Sequence, residues 1–219
     1  MRRVACLAIL MALTSDVIVG QQPADAPGAT TPDAPPNPVP RAWAFSASAS
    51  GYFAEDGHYV QPTFTADRHR LHLEARYNYE AVEAGSVWVG CNFSGGEALS
   101  WEITPMLGGV FGATAGIAPG YKGSLSGWKL ELYSEGEYVF DAQSSGDSFF
   151  YNWSEFTVTP LDRVRFGLVT QRTRAYQAER DIQRGVLAGV TFEQVSVTGY
   201  LLDPDKSHPT FVLTVALTF

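Results

Sequence analysis

The residues with the plainest chemical potential are four histidines. His58 follows Glu55 and Asp56, His208 follows Ser207, and His69 and His72 lie three residues apart. A histidine held beside a serine or a water can act as a general base for hydrolysis, provided a further group orients it. No His-x-Ser-Asn run occurs, and these histidines read as solvated loop residues, except His72, which falls on an otherwise polar strand face. His69 and His72 cannot share a metal, because residues three apart on a strand point to opposite faces. Asp203, Asp205 and His208 read as a solvated acidic turn rather than a cation site. The expectation is therefore no catalytic centre, no metal and no cofactor.

The remaining charges form a pattern instead of a cluster. Arg70, Glu74, Arg76, Glu102, Lys122, Glu131, Glu135, Glu155 and Arg165 fall on alternate residues of runs whose other positions are apolar or small. Charges placed this way need water or one another. Arg172 and Arg174 sit on the opposite phase, with the apolar residues, and two readings stay open for them. They contact anionic phosphates at a membrane surface, for which arginine's forked geometry is suited, or a β-bulge turns them to the polar face.

Only period-two elements can arrange side chains in this way, and from Trp43 onward alternating segments recur with Gly, Asp, Ser, Asn or Pro between them. Twelve strands are expected: Trp43 to Phe53, His58 to Ala66, Arg70 to Glu80, Gly85 to Phe93, Leu99 to Phe111, Thr114 to Leu125, Trp128 to Phe140, Phe149 to Thr159, Arg163 to Tyr176, Gln183 to Phe192, Val195 to Leu202 and Pro209 to Phe219. Four aromatic pairs lie ten residues apart on one strand face: Trp43 and Phe53, Trp101 and Phe111, Trp128 and Tyr138, Phe166 and Tyr176. Ten residues at about 3.3 Å each, tilted by roughly 40°, rise about 25 Å, the height of the apolar band between the aromatic girdles of a transmembrane barrel. The face between the paired aromatics is uncharged. Its many Ala, Gly and Pro positions would fill a soluble core poorly but suit a lipid-facing wall. The expected fold is an all-β, antiparallel, up-and-down transmembrane barrel of 12 strands, within a range of 10 to 14, over residues 42–219.

The preceding chain agrees with export. Residues 1–20 have a basic start (Arg2, Arg3), a short apolar run and small residues, the layout of a signal peptide whose cleavage point could extend to 26. Residues 21–41 hold seven of the 13 prolines and read as a disordered periplasmic leader. Removal of Cys6 with the signal leaves Cys91 as a lone packing residue. The net charge of −8 argues against nucleic acid as a partner.

Phe211, Leu213, Val215, Leu217 and Phe219, apolar at every second position with a terminal aromatic, resemble the C-terminal signal of Gram-negative outer-membrane β-barrel proteins. The resemblance covers about ten residues. It implies recognition of this strand by the barrel-assembly machinery, carried over to Phe219 and its alternate neighbours only. In an outer membrane the partners would be its lipid and lipopolysaccharide, and Arg172 and Arg174, by their outward phase, are the candidate lipopolysaccharide contact. The leading functional expectation is a narrow porin-like channel for small solutes. A non-transporting anchor with a salt-bridged lumen and an outer-membrane lipid-modifying enzyme are the alternatives.

Overall fold

The computed structural model describes residues 43–55, 57–143, 147–175 and 181–219. The signal and leader expectations for residues 1–41 lie outside it. Thirteen strand segments follow one another: β1 Ala44–Ala54, β2 Gly57–Arg68, β3 Leu71–Tyr77, β4 Ala84–Cys91, β5 Phe93–Gly95, β6 Ser100–Gly112, β7 Gly116–Gly127, β8 Leu130–Asp141, β9 Phe149–Leu161, β10 Val164–Ala175, β11 Asp181–Phe192, β12 Val195–Leu202 and β13 Thr210–Thr218. β4 and β5 are one stave. Both pair with β6 in a single register, from Ala84 opposite Gly112 to Phe93 opposite Ile103, and only Asn92 interrupts them. Each strand pairs with its sequence neighbour, and β1 pairs with β13, so twelve antiparallel staves close a barrel. Closure leaves no row of unpaired backbone groups, the condition hydrocarbon imposes on a sheet.

The two ends of the barrel differ. At the base, where β1 starts and β13 finishes, the connections 69–70, 128–129, 162–163 and 193–194 are two residues long and 96–99 is four, whereas the opposite rim has the short connections 55–56 and 113–115 and the longer 78–83, 142–148 and 203–209. Two expected boundaries are corrected at turns. β3 stops at Tyr77, because Asn78 has a φ of 57° and its side chain bonds both the Val60 carbonyl and the Glu83 N–H. β8 starts at Leu130, because Trp128 and Lys129 have φ values of 51° and 67° and form the base turn.

Burial is inverted relative to a water-soluble protein. Val60, Leu73, Val87, Leu107, Leu132 and Phe156 are exposed on the outer wall, while Ser50, Gln61, Thr65, Glu74, Arg76 and Glu155 are buried inside. Water would not tolerate a continuous apolar wall of this kind, and hydrocarbon requires one.

Aromatic side chains recur on the outer wall, at the strand ends and also at Phe64, Tyr121 and Phe156 in mid-strand. At the base, the Arg68, Arg70 and Arg163 guanidinium groups lie 5.8, 5.6 and 5.8 Å from the rings of Trp43, Phe93 and Phe192. Arginine over an aromatic ring suits the boundary between hydrocarbon and water, where the stem stays in apolar surroundings and the head is wet. Phe53, Trp101, Phe111, Trp128 and Phe166 are likewise exposed, Tyr138 is half-buried, and Tyr176 lies outside the described residues.

Candidate functional site

The barrel interior is divided into two halves. Toward the rim it is filled. Tyr52, Tyr151 and Trp153 are at most 1% exposed, and Trp88, Phe149 and Tyr200 pack with them. Trp153 and Tyr200 meet edge-on at 5.4 Å, and Tyr52 stacks on Tyr59 at 4.9 Å. Sequence reading assigned aromatics to the girdles and missed this inward set. Its signal is Phe149, Tyr151 and Trp153 on alternate residues ending in Glu155, the phase opposite to Phe156.

The connection between β3 and β4 completes the filling. Instead of standing in solvent, it carries Tyr79 and Glu80 into the interior, where both are almost fully buried. The Tyr79 hydroxyl donates to Glu135, which also accepts from the Tyr133 hydroxyl at 3.0 Å. The Ser86 hydroxyl donates to Glu80 at 2.6 Å.

Arg76 organises this region. Its Nε lies 2.6 Å from Glu74, its Nη1 2.8 Å from Glu137 and 3.7 Å from Glu80. The guanidinium is also sandwiched by rings, 4.1 Å from Tyr79 and 4.5 Å from Trp88. A buried charge with three carboxylates and two π faces is compensated from several directions. Glu74 continues the network to Lys122 at 2.5 Å and to His72 Nε2 at 3.0 Å, while His72 Nδ1 reaches Asp67 at 2.8 Å. On the far wall, Arg165 pairs with Glu155 at 3.2 Å and donates to the Thr198 and Tyr200 hydroxyls.

Toward the base the interior is open. A cavity of about 310 Å³ is lined by Asp67, His72, Asn92, Thr104, Lys122 and Glu131, among others. A second, of about 810 Å³, reaches Glu102, Lys129, Glu131, Asp162, Arg163 and Arg165. Asn92, the break between β4 and β5, donates to Asp67 of β2 at 2.7 Å and accepts from Thr104 of β6 at 2.7 Å, so the irregular residue links the adjacent β6 and the next-but-one β2 along the cavity wall.

Of the nine charges picked from alternation, Glu74, Arg76, Lys122, Glu135, Glu155 and Arg165 join these interior networks, and Glu102 and Glu131 line the open half. Arg70 does not: it is exposed at the base turn, over the outward ring of Phe93. Its position before β3 frees it from strand alternation. Arg172 stays outward, its guanidinium 5.7 Å from Phe150, with Gln171 buried inside beside it. The register shift in β10 falls between Val164 and Phe166, too early to rotate Arg172 inward. The side chain of Arg174 lies outside the described residues.

The histidines are placed apart. His58 is tilted against Phe53 at 5.7 Å on the outer wall, His208 pairs with Glu55 at 2.9 Å in solvent, and His69 occupies a base turn with φ of 57°. Among the described residues no group of three or more His, Cys, Asp or Glu side chains is arranged to hold a metal.

Trp88 reports on interior packing. A Cβ on Gly108 would fall 2.4 Å from its ring. Gly108→Ala is expected to displace the indole and destabilise the barrel by about 1–3 kcal/mol, through overpacking. A urea titration followed by tryptophan emission checks this, and an unchanged midpoint would contradict it.

A closed barrel with an apolar outer wall and a charged interior defines a transmembrane β-barrel of the bacterial outer-membrane type. Comparison with solved structures agrees. The KdgM porin is similar in structure, with a TM-score of 0.60 at 12% identity, covering 80% of this chain and 99% of that one. The same figures hold for the KdgM porin in complex with disordered oligogalacturonate. The outer membrane protein Omp33 of Acinetobacter baumannii matches with a TM-score of 0.49 at 12% identity, over 81% of this chain and 98% of that one. No protein-family profile and no curated protein sequence matches the chain.

Proposed function

We propose that this chain is a narrow outer-membrane channel for small polar solutes, with its base in the periplasm and a filled rim half that must rearrange to conduct. The observation that carries the reading is the charge-lined open half of the lumen, which ends against packed rings rather than against a strand or a bilayer. The similarity in fold to a porin supports it.

The interior favours cations. In the open half Asp67, Glu102, Glu131 and Asp162 face Lys122, Lys129, Arg163 and Arg165, and the acidic excess lies in the filled half that a solute must cross, where Glu74, Glu80, Glu135, Glu137 and Glu155 surround Arg76. Rings of acidic side chains select cations. A polyanion such as the oligogalacturonate held by the KdgM porin would meet repulsion here.

The inward loop is the element to move. Tyr79 and Glu80 enter the lumen from a connection rather than from a stave, so they can withdraw without breaking the sheet. Planar-bilayer recordings of the refolded chain are expected to show small cation-selective steps, and Tyr79→Ala with Glu80→Ala is expected to raise open probability at least tenfold. Silence from both proteins would sink the channel reading.

That silence would favour a second reading, an anchor with a sealed interior, for which the near-zero exposure of Tyr52, Tyr151 and Trp153 speaks. No catalytic role is proposed, since His58 on the outer wall, His72 in the lumen and His208 at the rim are dispersed and do not assemble into one group. In either case β13 together with the adjoining Phe219 is the segment proposed to be read by the barrel-assembly machinery.

A further inference from the structure

The outer wall is apolar around most of its circumference, but one sector is not. On β7 to β11, two adjacent levels below the rim carry small and polar side chains. Register places Tyr121, Gly136, Asn152, Arg172 and Ile182 in one level and Gly123, Ser134, Ser154, Thr170 and Arg184 in the next. One step nearer the base, Leu132, Phe156, Leu168 and Val186 restore the apolar wall.

Part of this sector is a hydrogen-bonded network on the outside of the barrel. The Tyr121 and Ser134 hydroxyls are 3.1 Å apart and those of Ser134 and Ser154 3.0 Å. The Asn152 amide donates to the Glu135 carbonyl at 2.8 Å and to the Tyr121 and Ser134 hydroxyls at 3.2 Å each. Polar groups facing hydrocarbon are expensive, and self-satisfaction reduces the cost without explaining why they are there.

The arginines point to an occupant. The Arg184 side chain is exposed, while its backbone is bonded to Asp203 on both sides, the N–H donating to the carboxylate at 3.0 Å and the carbonyl accepting from the Asp203 N–H at 2.6 Å. Arg172 has its Nε shielded and without a hydrogen-bond partner. In the two levels described above no acidic side chain faces outward. A second copy packed by two-fold symmetry on this sector would bring like charges together, whereas an anionic amphiphile supplies what both arginines lack.

We propose that this sector binds one phosphorylated glycolipid of the outer leaflet. Its phosphates sit on Arg172 and Arg184, its sugar hydroxyls meet the Tyr121–Asn152–Ser134 network, and its acyl chains descend over Leu132, Phe156 and Leu168. The proposal rests on the outer-membrane reading but not on conduction.

The test uses the full chain refolded in neutral detergent, with bound lipid counted by native mass spectrometry. Four probes are compared: diphosphorylated lipid A, the same lipid dephosphorylated, phosphatidylglycerol and inorganic phosphate. The expected result is one diphosphorylated lipid A bound at least tenfold more tightly than any other probe. Arg172→Gln with Arg184→Gln is expected to abolish that preference, and Arg68→Gln at the base to leave it intact. Arg184→Gln alone, whose side chain is exposed, keeps the test open if the double variant misfolds, and a severalfold loss is expected from it. Equal binding by wild type and the Arg184 variant would overturn the proposal, as would equal binding of phosphatidylglycerol. A wild-type dimer that lipid A fails to compete away would overturn it in favour of a second copy.

Discussion

Arg76→Met is expected to destabilise the folded barrel by about 3–5 kcal/mol, the usual cost of stranding buried charge. The substitution keeps much of the side-chain volume between Tyr79 and Trp88 and removes the charge that holds Glu74, Glu137 and Glu80 together. Glu74 retains Lys122 and His72, so the burden falls on Glu137, whose other oxygen already has no hydrogen-bond partner. Adding Glu137→Gln to Arg76→Met should therefore recover part of the loss, giving a coupling of opposite sign to the single effects. Urea unfolding of the refolded protein in lipid vesicles measures both. A loss below about 1 kcal/mol, the range of solvated pairs, would mean that this part of the interior is hydrated and not sealed.

The second large effect concerns the outer wall. Leu168 is 60% exposed at the middle of β10. In a soluble protein an arginine at such a position changes stability by no more than about 0.5 kcal/mol. Facing the bilayer midplane, Leu168→Arg should cost about 2–4 kcal/mol, and Leu161→Arg, 65% exposed at the base end of β9, about 0–1 kcal/mol. The contrast between two equally exposed leucines is the measurement that matters. Equal effects in vesicle-based unfolding would remove the membrane from the explanation.

Strand existence, number and facing were legible because alternation is imposed at every residue by the pleat and reinforced by lipid outside. Phe166, Leu168 and Thr170 lie on one face and Arg165, Val169 and Gln171 on the other, as the pattern requires. The filled half of the lumen was not legible. Alternation says that Tyr151 and Trp153 point inward, but not that they meet Tyr79 from the β3–β4 connection and Tyr200 from β12. The inward fold of residues 78–83 was hidden for a related reason. It depends on positive φ at Asn78 and Glu83, neither a glycine, and on the buried partner Glu135, which sequence order keeps far away. Arg70 failed in the opposite direction, since its phase was right but its residue precedes the strand.

The seam between β1 and β13 has a consequence for how the molecule comes into being. Phe45 and Phe219 exchange backbone hydrogen bonds of 2.8 and 2.9 Å, and the register runs on from Ser46 opposite Thr218 to Phe53 opposite Phe211. Every other ladder joins neighbours in the chain and can zip as soon as its hairpin exists, but this clasp must wait for β13. Until then two raw edges coexist in one chain, and whatever chaperones its assembly must shield both. The circle is thus made at the last moment, by the two segments that have waited longest and shortest.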